Sequence, residues 1–434
     1  MKMKKLAALM MVGVLTFGAL TGCGGNGSDT GAGGGNGGSS DGKTTITIFN
    51  TKSEITEYLE AAAEKYEAEN NVHIEVYISN DTVSAHLSTK YASGDPYTIS
   101  MVDAKDVYSV GAQYGSDLSG EDWVKDTDYA ISVDGKVVGF PVCVEARGLL
   151  YNADAIESVT GESFDPTSIK TLDDLTAMCD KLVAGGMDTP TAILKPDWSL
   201  AAHFIQQVYE EREDVEGFVQ ALYAGNADLV NDEKFNALMD VFDVLMKYNK
   251  FGSSPIAVED ELVHMAMSEG EVAFQFGGCW EWNDIIDFDY TGNVGLMPVP
   301  QNINDAYTGC IVGGGSKYFY VDNSEYPTDE QSQAAKDFLN WLVYSEDGQT
   351  LVSDTCGMVS AFSNNNVPCS NHLGAAVKEF VDAGKMVPNY DYDPDDHITR
   401  VGAEMQKYLA GQCDRAELAS AIESYWASTT PVQH

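Results

Sequence analysis

The sequence predicts an α/β protein of two lobes, on three observations. Past a polar, glycine-rich stretch the chain opens with a strand, a helix and a second strand, which implies a parallel sheet covered by helices. The body of the chain, roughly 390 residues, exceeds what one hydrophobic core organises, so two lobes follow from size alone. Strand patterns also return after a long helical middle, so both kinds of element recur along the body.

The elements follow in order. Lys2, Lys4 and Lys5 precede an apolar run from Leu6 to Leu20, and Leu20-Thr21-Gly22-Cys23 closes it. These are the three parts of an export signal, on a run too short to span a membrane comfortably. Small residues directly before a cysteine are the pattern of a lipoprotein signal, in which Cys23 is acylated and becomes the new N-terminus. An ordinary cleaved signal would leave unexplained why a cysteine stands at the cleavage point. From Gly24 to Gly42 the chain is nearly all Gly, Ser, Asn, Asp and Thr, a composition that buries nothing and behaves as a flexible tether.

Thr44 to Phe49 is β-branched and aromatic and predicts a strand. Ile55, Leu59, Ala62 and Tyr66 recur at helical spacing, and Val72, Ile74, Val76 and Ile78 alternate as a second strand. A helix near Asp81 to Ala92 and a strand near Thr98 to Val102 continue the pattern. From Ala153 to about Lys250 the pattern is mostly helical. Strands return at Val272 to Phe276, Val294 to Leu296 and Tyr318 to Val321. Helices close the chain, including Ala334 to Val343 and Arg415 to Trp426, where Leu418, Ile422 and Trp426 are four apart. There is no internal repeat and no coiled coil.

The formal charge of −42 argues against nucleic acid and against adsorption to anionic lipid heads. Eight cysteines occur, and with Cys23 acylated the remaining seven cannot all pair, so at least one thiol is free. They are scattered, with no C-x-x-C and no clustered histidines, so neither a zinc site nor a disulfide scaffold is indicated. No cofactor and no metal is implied.

Four segments together resemble the extracellular solute-binding proteins of ABC importers, in the branch of the maltose/maltodextrin-binding protein. They are Thr45 to Asn50; Gly135 to Asn152; Phe274-Gln-Phe-Gly-Gly-Cys-Trp-Glu-Trp282 with Val294 to Pro300; and Ala334 to Leu342 with Ser345 to Gln349, followed by a closing helix pair around Leu409 to Gly411 and Ala416 to Trp426. The resemblance covers essentially the whole body. It implies a periplasmic-binding-protein-like fold of two discontinuous lobes joined by hinge crossings: residues 44–143 with 305–349 in lobe I, and 144–304 with 350–434 in lobe II, after a signal over 1–22 and a tether over 23–43. It also implies a monomer, exported and lipid-anchored to the outer face of the bacterial cell membrane. That monomer takes a small solute, an extracellular carbohydrate and in particular an oligosaccharide, into the interlobe cleft and delivers it unchanged to ABC permease subunits.

A sugar offers hydroxyl edges and an apolar ring face, so its site needs aromatic plates and a rim of planar or charged hydrogen-bonding groups. Trp280, after Gly277-Gly278, matches the position where the family stacks a sugar ring; plugging the lobe II core is the alternative. Glu145 matches a family carboxylate that accepts sugar hydroxyls, or else pairs with Arg147, an arginine that the maltodextrin branch does not place there. Trp198 lies where the family offers another plate, and Asp197 beside it suits a helix cap. Lys52 and Glu54 follow the first strand and Asp103 follows the third. Ligands of parallel sheets sit at these carboxyl ends, though a solvated helix start would use the same residues. Tyr390, Tyr392, Asp395 and His397 form an aromatic, acidic segment near where the family completes its site; an exposed loop or a weak cation site would read the same.

Three rivals remain. A secreted glycosidase needs two carboxylates across a cleft, but among 67 acidic residues such pairs arise by chance, and no G-x-S-x-G, H-E-x-x-H or Walker motif occurs. The same fold could bind a polyamine, since carboxylates with aromatic plates also hold ammonium groups; a metal chelate, a peptide or an organophosphate is a weaker variant. An adhesive surface protein would need no closing cleft.

Overall fold

The computed structural model describes residues 42–79, 82–288, 290 and 292–432. The predicted export signal, Cys23 and the tether up to residue 41 lie outside the described residues. In the first sheet, β1 (Thr44–Phe49), β2 (Val72–Tyr77) and β3 (Ile99–Asp103) run parallel, with β1 between the other two. Their connections are the predicted helices. Thr56–Glu69 buries Leu59, Ala62, Ala63 and Tyr66, and Val83–Ala92 buries Leu87 and Tyr91. These apolar stripes cover a sheet whose β1 residues Ile46 and Ile48 are wholly buried. At the far edge, β4 (Ile131–Val133) and β5 (Lys136–Pro141) form a hairpin whose turn residues Asp134 and Gly135 both have positive φ, 51° and 76°, the conformation an Asp-Gly turn supplies.

From β5 the chain runs almost unbroken into β6 (Cys143–Asn152), the central strand of a second sheet. β7 (Thr191–Ala192), β8 (Phe274–Gly278), β9 (Val294–Met297) and β10 (Ile311–Gly315) join it, and β11 (Lys317–Val321) then returns to the first sheet between β3 and β5. β12 (Val359–Ser360) and β13 (Met386–Pro388) come back to the second sheet, against β6 and β10. Six and seven strands result among the described residues. Around them pack the helices, so the protein is a two-lobed α/β fold as the sequence predicts.

The crossings β5–β6 and β10–β11 run side by side and are tied where they meet. The Val142 N–H donates to the Lys317 carbonyl at 2.7 Å, and the Ser316 N–H donates to the Cys143 carbonyl at 3.1 Å. Two predicted boundaries move. The return to lobe I, expected at 305, falls at Ser316, because β10 pairs with β6 and β13 in the second sheet. Lobe I continues past 349, since the turns over 346–355 pack on the helices Asp329–Tyr344 and Thr56–Glu69. The glycine run Gly313 to Gly315 carries no strand propensity, which hid β10 from the pattern. The strand expected at Val272 to Phe276 begins two residues later, and the helical middle contains the short β7.

One apolar core lies under the helices of lobe I around Phe49, Tyr97, Val102 and Tyr320. Another fills lobe II around Leu149, Phe204, Phe235 and Trp426, and a third runs through both lobes along the crossing strands. All seven described cysteines are free thiols. Among the described residues no helix is long and apolar enough to cross a membrane.

Candidate functional site

A cleft of about 550 Å³ opens where the two sheets face each other, lined from both lobes. Its lobe I wall is the carboxyl end of the parallel strands. Lys52 follows β1, in a loop fixed by the buried Asn50: the Asn50 Oδ1 accepts from the Lys52 N–H at 2.9 Å, and its Nδ2 donates to the Lys52 carbonyl and to Thr56 Oγ1, each at 2.9 Å. The Lys52 ammonium, only 5% exposed, meets Glu145 Oε1 at 2.7 Å and Glu54 Oε1 at 2.8 Å. Burial alone would lower its pKa, but the carboxylates of Glu145 and Glu54 outweigh it and hold the lysine well above its ordinary value. The same pairing keeps Glu145 below the usual carboxylate range against its own burial. Glu145 stands on β6 and also accepts from Ser316 Oγ, so this pair bridges the two crossing strands. Asp103, at the end of β3, pairs with Lys317 at 2.5 Å, which lowers the Asp103 pKa despite desolvation.

The lobe II wall supplies the aromatic plates. Trp280 sits in a short turn, Cys279–Glu281, at the end of β8. A Cβ on Gly278 would lie 2.2 Å from the indole ring, so only glycine lets the ring fold over the strand end. The turn is held from beneath by Glu281, which accepts from Gln275 Nε2 and, at 3.3 Å, from the Gly278 N–H, and stands 3.4 Å from His264 Nε2. Trp198 opens a wide-turned helix, Trp198–Ile205, of the kind often found at functional sites. Asp197 Oδ1 accepts from the Trp198 N–H at 2.8 Å and so caps that helix. His203 joins the plates: its ring is 4.4 Å from that of Trp280 and 5.5 Å from that of Trp198. Burial first, then the Arg147 guanidinium, hold His203 well below its usual pKa, so it is neutral.

Arg147, two residues along β6 from Glu145, is turned to a different partner. Its guanidinium pairs with the buried Glu210 and donates to Asn389 Oδ1 at 2.8 Å and to the His203 carbonyl at 2.9 Å. The Glu145–Arg147 pair considered from sequence is therefore not formed, because Lys52 lies closer to Glu145 across the crossing. Glu210 also accepts from the Tyr390 N–H at 3.0 Å, which ties the segment after β13 to this wall.

Seven of the sequence candidates, Lys52, Glu54, Asp103, Glu145, Arg147, Trp198 and Trp280, line the cleft, and Tyr390 joins them. His397 does not. It is fully buried in the lobe II core, with its ring 5.3 Å from Trp426 and 5.8 Å from Tyr209, because it begins the helix His397–Leu409 on its core-facing side. Tyr392 packs its ring 4.7 Å from Tyr108 of lobe I, closing the lobes together beside the cleft. Asp395 is exposed and lines a separate groove. Sequence reasoning missed His203, Gln206, Glu210, Lys317, Asp391 and Asp393, all on the cleft wall. The first three sit one turn apart on the helical stretch after Trp198, a spacing that could have indicated them. Asp391 and Asp393 lay inside the segment already singled out.

Residues 61–366 match the family profile described as bacterial extracellular solute-binding protein. The fold is also that of several solved binding proteins. The solute-binding protein RafE in complex with raffinose has 19% identity and a TM-score of 0.74 over 89% of this chain and 99% of that one. A chitin oligosaccharide binding protein has 17% identity and a TM-score of 0.70, covering 88% and 98%. A sugar transporter from Bacillus licheniformis in complex with stachyose has 18% identity and a TM-score of 0.67, covering 88% and 99%. Among curated proteins none matches the chain.

Proposed function

Because the chain belongs to the bacterial extracellular solute-binding proteins, we propose that it captures an oligosaccharide in its interlobe cleft and hands it, chemically unchanged, to the permease of an ABC importer. The observation that carries the sugar is the wall built by Trp280, Trp198 and His203, facing a rim of ion-paired Lys52, Glu145, Asp103 and Lys317. Apolar plates against fixed hydrogen-bonding groups are what a pyranose ring with equatorial hydroxyls requires. Neighbours of the same fold hold raffinose and stachyose, which supports the same class here. Lys52, Glu145, Asp103 and Lys317 of the rim are committed to one another, which suits binding. Acylation of Cys23 would anchor the monomer to the outer face of the membrane, and the tether would let it reach the permease.

A polyamine is the second reading, and one observation favours it: eight carboxylate side chains line the cleft against four from lysine or arginine. A thermal-shift panel of raffinose, stachyose, maltotriose and chitotriose with spermidine and putrescine tests both. A ligand that binds only the native state adds about 2.7 kcal/mol of stability at a hundredfold excess over its dissociation constant. A rise in Tm with one sugar class is the expected result; a rise with polyamines alone overturns the sugar assignment.

A further inference from the structure

Part of the carboxylate excess lies in one corner of the cleft, apart from Glu281 and Asp284, which stand by His264. Glu145, Glu54 and Asp103 have lysine partners, and Glu210 has Arg147. Asp391 and Asp393, on the segment after β13, line the same cavity and have no cation within ion-pair distance among the described residues. The charged groups facing them are Glu210 and Arg147 from lobe II and Asp103 and Lys105 from lobe I. Burial, and then the Glu210 carboxylate, push Asp391 up to about 7 and Asp393 well above the usual carboxylate range.

A second observation is independent of charge. Gln206, only 2% exposed, reaches this corner. Its Nε2 donates to Asp393 Oδ2 at 2.5 Å and to the Tyr390 carbonyl at 3.3 Å. Those two acceptors fix which way the amide faces, and they leave Gln206 Oε1 buried with no donor. Asp393 Oδ1 is in the same condition. Buried acceptors without donors are costly, and here they share one cleft corner with two carboxylates that lack a counter-ion.

We propose that this corner, formed by Asp391, Asp393 and Gln206, is an ammonium subsite that receives a protonated amino group of the ligand. An ammonium brings three donors and no acceptor, so it answers both the orphaned oxygens and the uncompensated charge, whereas a hydroxyl brings one donor and no charge. Resting on the oligosaccharide reading of the cleft, this makes the favoured ligand an amino-bearing sugar chain. A free polyamine offers the same chemical group, and the test separates the two.

Isothermal titration of the purified protein at pH 5.5, where the sugar amines are already charged and Asp391 still holds most of its proton, with the glucosamine trimer, its fully N-acetylated counterpart, raffinose and spermidine gives the readout. The free-amine trimer is expected to bind tighter than the N-acetylated one by roughly tenfold or more. Its binding is also expected to release protons, detected as a dependence of the heat on buffer ionisation, because Asp391 gives up its share of a proton to the incoming cation. Asp391→Asn and Asp393→Asn, each checked for an unchanged thermal unfolding profile, should bring the ratio between the two trimers towards one. If one variant does not fold, the proton release by the unsubstituted protein and the other variant still decide. Raffinose or the N-acetylated trimer binding as well as the free amine, with no proton release, overturns the subsite and leaves sugar capture standing. Spermidine binding alone keeps the subsite and overturns the sugar. Failure of every amine to bind overturns the subsite.

Discussion

At the scale of single residues, the site separates side chains that hold the cleft together from those that face it. Trp280 is partly exposed and lines the cleft, with the His203 ring 4.4 Å from its own, so it is placed to meet a sugar ring. Trp280→Ala should weaken oligosaccharide binding by roughly thirtyfold, in the range of an aromatic hot spot, while the unliganded Tm moves little; titration and thermal unfolding check both. Lys52 is the opposite case. Lys52→Met leaves Glu145 buried with only Ser316 to answer it, and stability in urea should fall by about 3 kcal/mol or more. His397 is different again: it is wholly buried with neither ring nitrogen hydrogen-bonded, and burial lowers its pKa to about 3. A histidine whose folded pKa lies below its unfolded value favours folding above about pH 6.5 and loses that favour as pH falls towards 3, at up to about 1.4 kcal/mol per pH unit. His397→Phe should therefore be as stable as the parent or more so at pH 7, and should lose less stability between pH 6 and 4.

At the scale of elements, the end of β8 decides the position of the main plate. Gly278 has φ −138°, a value open to any residue, so its role is room for the indole, not backbone freedom. Gly278→Val should keep the strand and displace Trp280. Affinity should drop about as far as in Trp280→Ala, with a blue- or red-shifted tryptophan emission reporting the moved ring. The alternation that placed β1, β2 and β3 in the sequence also placed Lys52 and Asp103, because the residue after a parallel strand must emerge at its carboxyl end. No such rule reaches Glu210 or Lys317, whose partners Arg147 and Asp103 are 63 and 214 residues away in the chain.

At the scale of the whole molecule, the crossing strands and the contacts beside them govern how the lobes meet. Lys52 and Glu145 join lobe I to the crossing strand β6, and Tyr108 meets Tyr392 beside the cleft. Tyr392→Ala removes the second contact without touching the aromatic wall. It should speed ligand release severalfold, seen by stopped-flow fluorescence, with association nearly unchanged, since changes within one interface fall mainly on dissociation.

The sequence by itself determined the α/β class, the two lobes and the parallel opening, and it named seven residues that line the cleft. It did so because alternation, helical spacing and strand ends are local properties, and because the resemblance placed Trp280, Glu145 and Trp198 residue by residue. It could not place His397 in the core, since an aromatic, acidic segment reads alike whether it faces a cleft or packs inward. Nor could it extend lobe II to Ser316, because a Gly-Gly-Gly strand is recruited by its neighbours and not by its own propensity. Which lysine answers which carboxylate, and that Asp391 and Asp393 are left without one, was decided only by the tertiary structure. Ion pairing depends on distances between segments that local pattern does not encode.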